Sequence, residues 1–333
     1  MATSCAPLKA QGSWDWAVAT AIAVATLFVA AAGLVPETAA ASTSARPAYG
    51  WPVEPFDRQH PVRGFFGDPR IGMTPKGMHS SFHFGIDIAC PNGTAVYATL
   101  DGVVRLESFR PETVAVVGRD GHTEFQYWHI GPAVENGQLV SAYRTVVGWV
   151  KAPWEHVHFS EMRDGVYVNP LRPGALGPFT DATRPSVKQL RASAGGSVIP
   201  PRATRGSVEL VVEAYDETPV PVPGRWGGKP VTPALLRWRV TRTGGSVVQG
   251  WRTAIDHRLV KPDDDLFTSR YARWTRQNKR NRVGRYRFLL AVAWDTRTLA
   301  DGRYVVEVIA SDVSANTTLA RFPIRIANRG ARV

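Results

Sequence analysis

Short runs of strand-forming residues, separated by turn signals, are the feature that most restricts the fold of this chain. Four such runs follow one another, at residues 95–98, 103–106, 114–117 and 125–128. The dipeptides Asp101-Gly102 and Asp120-Gly121 lie between them, and Asp-Gly is a strong hairpin signal. No amphipathic helical pattern interrupts the runs. The sequence therefore predicts an all-β chain, in which an antiparallel sheet forms the floor of a groove and loops form its walls.

A second set of strand-like runs occupies the C-terminal part. These runs lie at residues 208–214, 235–240, 287–292, 304–310 and 322–326. Residues 179–206 are rich in Thr, Ser, Arg, Gly and Pro, which predicts a linker between the two sets. Several short strands with turn signals predict a β-sandwich over residues 207–329. Residues 299–315 resemble the last hairpin of immunoglobulin-like or fibronectin-like domains of exported bacterial proteins, so we expect an immunoglobulin-like sandwich.

The N-terminus carries an export signal. Residues 17–35 contain no charge and are rich in Ala, Val and Ile, and small residues that suit signal cleavage follow them. The apolar run also approaches the roughly 20 residues that span a bilayer. Residues 1–42 are therefore predicted to be a cleaved signal peptide or a membrane anchor, and the protein is expected in the cell envelope or outside the cell.

Positive charge is concentrated in the C-terminal part. Residues 180–333 contain 27 Lys and Arg against 13 Asp and Glu, a net charge of +14, whereas residues 51–179 contain 11 against 13, a net charge of −2. In a cytoplasmic protein such a basic region with interleaved aromatics favours nucleic acid. Because the N-terminal pattern predicts export, nucleic acid is excluded as the expected partner. An anionic wall polymer or a membrane surface is the predicted partner of the basic region.

The spacing of histidines and a carboxylate indicates a metal site. His83 and Asp87 are four residues apart, and His156 and His158 are two apart. On extended strands both spacings place side chains on one face. Three protein ligands with one open position are what a catalytic zinc site needs. His129 adds a further imidazole.

The order of these motifs resembles the lysostaphin-type, or LytM-type, zinc metallopeptidases, which cut peptide cross-bridges of bacterial cell walls. The resemblance covers residues from about 60 to 175. Its segments are His-Phe-Gly-Ile-Asp-Ile (83–88), Pro-Asn-Gly-Thr-Ala-Val (91–96), Asp-Gly-Val-Val (101–104), Tyr-Trp-His-Ile (127–130), a glycine-marked strand pair (134–149), His-Val-His-Phe (156–159) and Val-Asn-Pro (168–170). A peptidase domain with the LytM-type fold (the duplicated hybrid motif) is therefore expected over residues 43–178.

The resemblance also implies roles for individual residues. His83, Asp87 and His158 would bind Zn²⁺, and peptidoglycan peptides would be the substrate. His129 and His156 would be the catalytic residues beside the attacking water.

Tyr127 is a further candidate because it lies two residues before His129. Residues two apart on a strand share a face, so the side chains of Tyr127 and His129 are expected to lie on the same side. Two roles for Tyr127 are then open, a hydrogen-bond donor to the transition state and a packed aromatic residue of the strand.

One segment departs from the family pattern. The family reaches its His-x-His through a flexible glycine-rich loop, but residues 150–155 of this chain contain the bulky pair Pro153-Trp154. The family resemblance therefore does not predict which peptide bond this chain would cleave. The leading hypothesis is an exported zinc metalloendopeptidase that hydrolyses peptidoglycan peptides through a metal-activated water. The alternative is a catalytically silent LytM-type regulator or a cell-wall-binding protein, and the retention of every family ligand position favours the enzyme.

Overall fold

The computed structural model describes residues 47–74 and 77–329. The predicted signal peptide or membrane anchor, residues 1–42, lies outside the described residues. Within the described ranges, no helix is both long enough and apolar enough to cross a membrane.

The first part of the chain, which carries the predicted histidine site, is built from antiparallel strands. Its strands are β1 (Val62–Gly64), β2 (Pro69–Thr74), β3 (Gly77–Phe82), β4 (Ile86–Ala89), β5 (Ala95–Tyr97), β6 (Gly102–Arg105), β7 (Thr113–Gly118), β8 (Thr123–Trp128), β9 (Ile130–Pro132), β10 (Leu139–Val140), β11 (Val146–Val150), β12 (His156–Arg163) and β13 (Val166–Val168). An eight-stranded sheet has the order β1-β4-β12-β8-β7-β6-β10, with β13 paired to β12. A smaller sheet has the order β5-β11-β9, and β2 pairs with β3. The predicted all-β antiparallel architecture is confirmed.

The hairpin between β7 and β8 shows how the sequence specifies a turn. Gly121 has a φ of 69°, a left-handed conformation that glycine adopts without steric cost. The Asp120 carboxylate accepts hydrogen bonds from the backbone amides of His122 at 3.0 Å and Thr123 at 2.9 Å. An aspartate that bonds to the backbone two or three residues ahead stabilises a tight turn. The Asp-Gly pair therefore fixes the reversal that the sequence predicted.

The core of the first part lies on one face of the large sheet. Ile86 and Ile88 of β4 and Val157 and Phe159 of β12 are fully buried and belong to one apolar cluster. Burying a side chain of this size stabilises a fold by about 1.5–3 kcal/mol. Because side chains alternate along a strand, the intervening residues, Asp87 of β4 and His158 of β12, point to the opposite face of the sheet.

The C-terminal part consists of two four-stranded antiparallel sheets. Their strands are β14 (Ser186–Ala194), β15 (Ser197–Ile199), β16 (Ser207–Tyr215), β17 (Leu235–Arg242), β18 (Val247–Asp256), β19 (Arg287–Asp295), β20 (Gly302–Ser311) and β21 (Thr317–Ile326). Short 3₁₀ helices span Pro201–Ala203, Gly224–Trp226, Asp264–Leu266 and Thr296–Thr298, and α1 spans Phe267–Arg270. One sheet has the order β15-β14-β16-β19 and the other β18-β17-β20-β21.

The structure departs from the predicted linker over residues 179–206. Strand β14 pairs with β16 from Ser186 to Ser193, and β15 pairs with the end of β14. Ala192 is the buried residue of β14, while its other side chains are half-buried or exposed. Strand β14 is joined to the sheet mainly by its backbone hydrogen bonds. Its side chains can therefore be polar, and its composition is that of a linker.

The two parts of the chain share their cores. In the C-terminal part, Trp238 of β17 and Trp294 of β19 meet edge to face with ring centroids 6.1 Å apart, which joins the two sheets as a sandwich. Phe82 from the first part is buried in this second core, and Val231 from the C-terminal part is buried in the first. The described residues therefore form one compact unit. The immunoglobulin-like assignment of the sandwich stays a prediction.

Candidate functional site

The predicted metal ligands meet where β4 and β12 pair. Asp87 of β4 lies directly opposite His158 of β12 in the antiparallel register. His83 lies between the end of β3 and the start of β4. A Cβ atom on Gly85 would stand 2.3 Å from the Phe159 carbonyl oxygen and 2.9 Å from His158 Nε2. Glycine at this position therefore lets the segment after His83 approach β12 closely.

Three donor atoms converge at this junction. His83 Nε2 is 2.7 Å from His158 Nδ1. Asp87 Oδ1 is 3.1 Å from each of these two nitrogens. The three ligand atoms lie within 4.8 Å of one another, and His83 and His158 are buried while the Asp87 side chain is 13% exposed. Two imidazole nitrogens and one carboxylate oxygen form the type of donor set that zinc takes in catalytic sites.

The outer nitrogens of both rings are held by other groups. His83 Nδ1 donates to the Phe65 carbonyl oxygen at 2.8 Å, because a carbonyl accepts only. His158 Nε2 lies 2.8 Å from the Ser160 hydroxyl. The lone pair of neutral His83 therefore faces His158, and two ring nitrogens this close need a proton or a cation between them. Such outer hydrogen bonds orient metal-ligating histidines, so the residues fit a zinc ion.

Burial sets the protonation of the ligands. It lowers the pKa of His83 to about 4 and that of His158 to about 3, so both rings are neutral at pH 7. Burial also acts to raise the pKa of Asp87, but electrostatic interactions with His83, His156 and Arg70 outweigh it and hold that pKa well below its usual value. The site thus offers two neutral imidazoles and an ionised carboxylate.

Arg70 of β2 orients the carboxylate of Asp87. Its Nη2 donates to Asp87 Oδ2 at 2.7 Å, while Nη1 lies 3.8 Å from Asp68 Oδ2. A Cβ atom on Gly64 would stand 2.5 Å from Asp87 Oδ2, so glycine makes room for this ion pair. The other oxygen, Oδ1, is left facing the two imidazole nitrogens.

The two predicted catalytic histidines lie beside the donor set. The His129 and His156 ring centroids are 4.7 Å apart. His129 stacks on Trp154 at 3.9 Å with an interplanar angle of 25°, so the bulky residue of the divergent loop packs directly against it. Burial, followed by electrostatic interactions with His156 and His158, lowers the pKa of His129 to about 3.

His156 is held from its outer side by Arg63. Its Nδ1 is 2.6 Å from Arg63 Nη2 and 2.8 Å from the Trp154 carbonyl oxygen. A guanidinium only donates and a carbonyl only accepts, so this nitrogen satisfies one of the two. The shorter contact favours a ring that accepts from Arg63 and carries its proton on Nε2. That Nε2 lies 3.4 Å from Asp87 Oδ1.

Tyr127 does not lie in the site, which corrects its predicted role as a transition-state donor. It is fully buried in the first core, and its hydroxyl bonds to the backbone amide and the hydroxyl of Thr99, both at 2.8 Å. The shared-face argument fails because β8 ends at Trp128 and His129 has a φ of 66°. The left-handed turn rotates His129 away from the alternation of the strand.

Residues from the C-terminal part complete the cleft around these histidines. The cleft has a volume of about 400 Å³, and Trp226, Gln277 and Asn278 form part of its lining. A larger pocket of about 760 Å³ lies elsewhere, around Leu259, and no histidine lines it. The candidate site therefore draws on both parts of the chain.

Two contacts fasten the C-terminal part to the site. The Arg63 guanidinium carbon lies 3.9 Å from the ring centroid of Trp226. Arg280 Nη2 donates to Glu155 Oε1 at 3.2 Å, next to the start of β12. The sequence did not reveal Arg63, Arg70 or Trp226 as site residues, because each belongs to a segment with no motif of its own.

Part of the chain is similar to known peptidases. Residues 81–170 match the family described as Peptidase family M23, and the predicted family resemblance is confirmed for this segment. Comparison with curated proteins finds no match. Among solved structures, the catalytic domain of the antimicrobial peptidase lysostaphin from Staphylococcus simulans is 22% identical, with a TM-score of 0.26, over 32% of this chain and 86% of that one. A zinc-containing peptidase from Vibrio cholerae is 23% identical, with a TM-score of 0.30, over 37% and 39%. A mutant catalytic domain of the prophage-encoded M23 protein EnpA from Enterococcus faecalis is 27% identical, with a TM-score of 0.25, over 32% and 88%.

Proposed function

Because residues 81–170 carry a peptidase family M23 domain, we propose that the chain is an exported zinc metalloendopeptidase that hydrolyses peptide bonds of bacterial peptidoglycan. The observation that carries this proposal is the buried convergence of His83, Asp87 and His158. These three residues would hold the zinc and leave one position open. When bound, zinc polarises a carbonyl oxygen and lowers the pKa of water to roughly 7.

The proton transfers are assigned to His129 and His156. The tautomer that Arg63 favours gives His156 a proton on Nε2, which faces the interior of the site. It can donate to the oxygen that becomes negative or to the departing amine. His129 is neutral at pH 7, so one of its ring nitrogens can accept a proton, and the ring lines the same cleft. The two rings together supply one acceptor and one donor, and we do not divide the steps further between them.

The shape of the cleft supports a peptide substrate. Trp128, Trp154 and Trp226 line it together with the histidines. Indole faces pack against an extended peptide and exclude water from the reacting bond. The pair Pro153-Trp154 and the indole of Trp226 are features of this chain, so the preferred cross-bridge is expected to depend on them.

The proposal places the protein in the cell envelope or outside the cell, where peptidoglycan lies. Residues 1–42 would direct export, either as a cleaved signal peptide or as an anchor. The basic residues of 180–333 would attract anionic wall polymers or a membrane surface, since the net charge there is +14.

The test is hydrolysis of purified peptidoglycan by the purified protein, followed through newly formed amino termini. We expect release that stops when a chelator removes the metal and returns when Zn²⁺ is added. The variants His129→Ala and His156→Ala are expected to keep zinc and lose most activity. His122→Ala is the matched control, because that ring is exposed and lies 2.6 Å from Asp164, away from the cleft.

Other outcomes would change the assignment. A wild-type protein that binds peptidoglycan and releases no termini would be a catalytically silent LytM-type regulator or a cell-wall-binding protein. Release that persists in the presence of chelator would rule out the metal mechanism. Full activity of both histidine variants would remove the proton-transfer roles given to them.

A further inference from the structure

A second group of potential metal ligands lies outside the peptidase site, in the C-terminal part. Asp181 follows the first part of the chain, Asp216 follows the last residue of β16, and Asp312 follows the last residue of β20. One carboxylate oxygen from each lies within 4.8 Å of the others. Three separate segments therefore bring three aspartates to one point.

Two carboxylate oxygens of this cluster have no hydrogen-bond donor among the described residues. Asp216 is 1% exposed, and its Oδ1 accepts from the Glu217 amide at 2.9 Å. Its Oδ2 is buried and has no partner among the described residues, and the same holds for Asp181 Oδ2. Buried polar atoms are almost always paired, so these two oxygens call for a ligand.

The surroundings make the cluster negative. The charged groups that most affect the pKa of Asp216 are carboxylates, namely Asp181, Asp312 and Glu217. Burial, reinforced by these neighbours, raises the pKa of Asp216 to about 8, and burial also raises that of Asp312. Without a counter-ion, these carboxylates can stay buried together only if they take up protons.

Space for a small ligand adjoins the cluster. A cavity of about 10 Å³ lies beside Asp216 and Asp312, and Phe65, Asn169 and Thr232 help to line it. This volume is roughly that of one water-sized sphere. The Asn316 side-chain amide, 2.7 Å from Asp312 Oδ2 and 2.8 Å from the Asp181 carbonyl oxygen, holds two of the three segments together at this point.

We propose that Asp181, Asp216 and Asp312 form a calcium site that fastens the segment after the peptidase part to both sheets of the sandwich. The donors are all oxygens, which suits a hard cation and not zinc, whose preferred ligands are nitrogen and sulfur. Calcium takes six to eight oxygens in flexible geometry, so three carboxylates and water complete its shell. Magnesium demands near-ideal octahedral geometry and holds its water more tightly.

The experiment is thermal unfolding of metal-stripped full-length protein with and without Ca²⁺. Sites of extracellular modules bind Ca²⁺ with dissociation constants of roughly 0.1–1 mM. At a free concentration of about one hundred times that constant, the midpoint should rise by about 4 °C in a chain of this size. Mg²⁺ at the same concentration should produce a smaller rise. The His83→Ala variant should retain the Ca²⁺ response, because its change lies in the peptidase site.

The variant Asp216→Asn tests the site itself. Asparagine is isosteric with the protonated aspartate, so this variant should fold in the absence of metal and lose the response to Ca²⁺. Asp265→Asn is the matched control, because Asp265 is exposed and lies outside the cluster. An absent Ca²⁺ response in the wild-type protein, or an equal response in Asp216→Asn, would overturn the proposal. An equal response to Mg²⁺ would overturn the choice of calcium. None of these unfolding measurements depends on peptidase activity, so they can refute the calcium site without bearing on the proposed function.

Discussion

Replacing Trp226 by alanine should lower the activity of the proposed peptidase although this residue lies far from the histidine motifs in sequence. Its ring centroid is 3.9 Å from the guanidinium carbon of Arg63, and Arg63 Nη2 is 2.6 Å from His156 Nδ1. A desolvated cation–π contact stabilises by about 2 kcal/mol, against roughly 0.5–1 kcal/mol at an exposed site. Arg63 is 8% exposed, so the larger figure applies.

The full energy of the Arg63–Trp226 contact sets the upper limit of the activity loss in Trp226→Ala. If the stack serves to hold Arg63 against His156, its loss lowers kcat/KM by up to about 30-fold, since 1.4 kcal/mol corresponds to a factor of ten. The assay is cleavage of a soluble wall peptide, with zinc content measured on the same sample. A fall in kcat indicates that His156 is misplaced, whereas a rise in KM alone indicates lost packing against substrate.

Two further variants make the test specific. Trp226→Phe retains an aromatic face and should recover part of the lost activity. Trp274→Ala removes an indole of the same part of the chain that is 75% exposed and does not line the cleft, so it should leave activity unchanged. Activity of Trp226→Ala within twofold of wild type, at equal zinc content, would refute the idea that this stack positions the site.

Three further predictions concern metal, acid and salt. His158→Ala should lose most of its zinc in metal analysis, and zinc content equal to wild type would contradict the ligand assignment. Burial acts to raise the pKa of the buried Glu161, but hydrogen bonds from Arg172 and Tyr49 outweigh it, so the folded-state pKa lies below its usual value. Ionised Glu161 therefore stabilises the fold fully above pH of about 4.3, and this stabilisation is lost as the pH falls through the lower folded-state pKa. Below that point, thermal unfolding of Glu161→Gln should show less pH dependence than that of the wild type. Binding to insoluble walls through the basic region 180–333 should weaken steeply between low and high salt, because exposed charges are screened over about 8 Å at physiological ionic strength, and salt-independent sedimentation would contradict this role.

The sequence predicted many of the strands, and it predicted the shared face of Asp87 and His158, because both depend on local pattern. The alternation of β4 and β12 places Ile88 and Val157 in the core, and it places Asp87 and His158 on the other face. The same reasoning failed for Tyr127, because a single left-handed residue at the end of β8 breaks the alternation. A period-two argument holds only while both residues belong to one strand.

Other features could not be predicted because they depend on distant segments or on backbone pairing. The wall formed by Trp226 and Gln277 arises from loops of the sandwich that carry no recognisable motif. The polar composition of β14 predicts a linker, because composition does not reveal a strand that is held by backbone pairing with β16. Composition reports what a segment can bury, and β14 buries little.

The C-terminal part also has a structural role at the proposed metal site. Phe82, the residue before His83, is buried among Phe267 and Tyr271 of the sandwich, with ring centroids 5.3 and 5.8 Å away. Asp68, which faces Arg70, accepts a hydrogen bond from the Thr232 amide at 2.8 Å. The position of His83 and the orientation of the Asp87 carboxylate therefore both depend on contacts with the sandwich. A peptidase part separated from it would expose Phe82 and lose one support of the Arg70–Asp87 pair, so the sandwich supports the proposed metal site as well as being a candidate wall-binding surface.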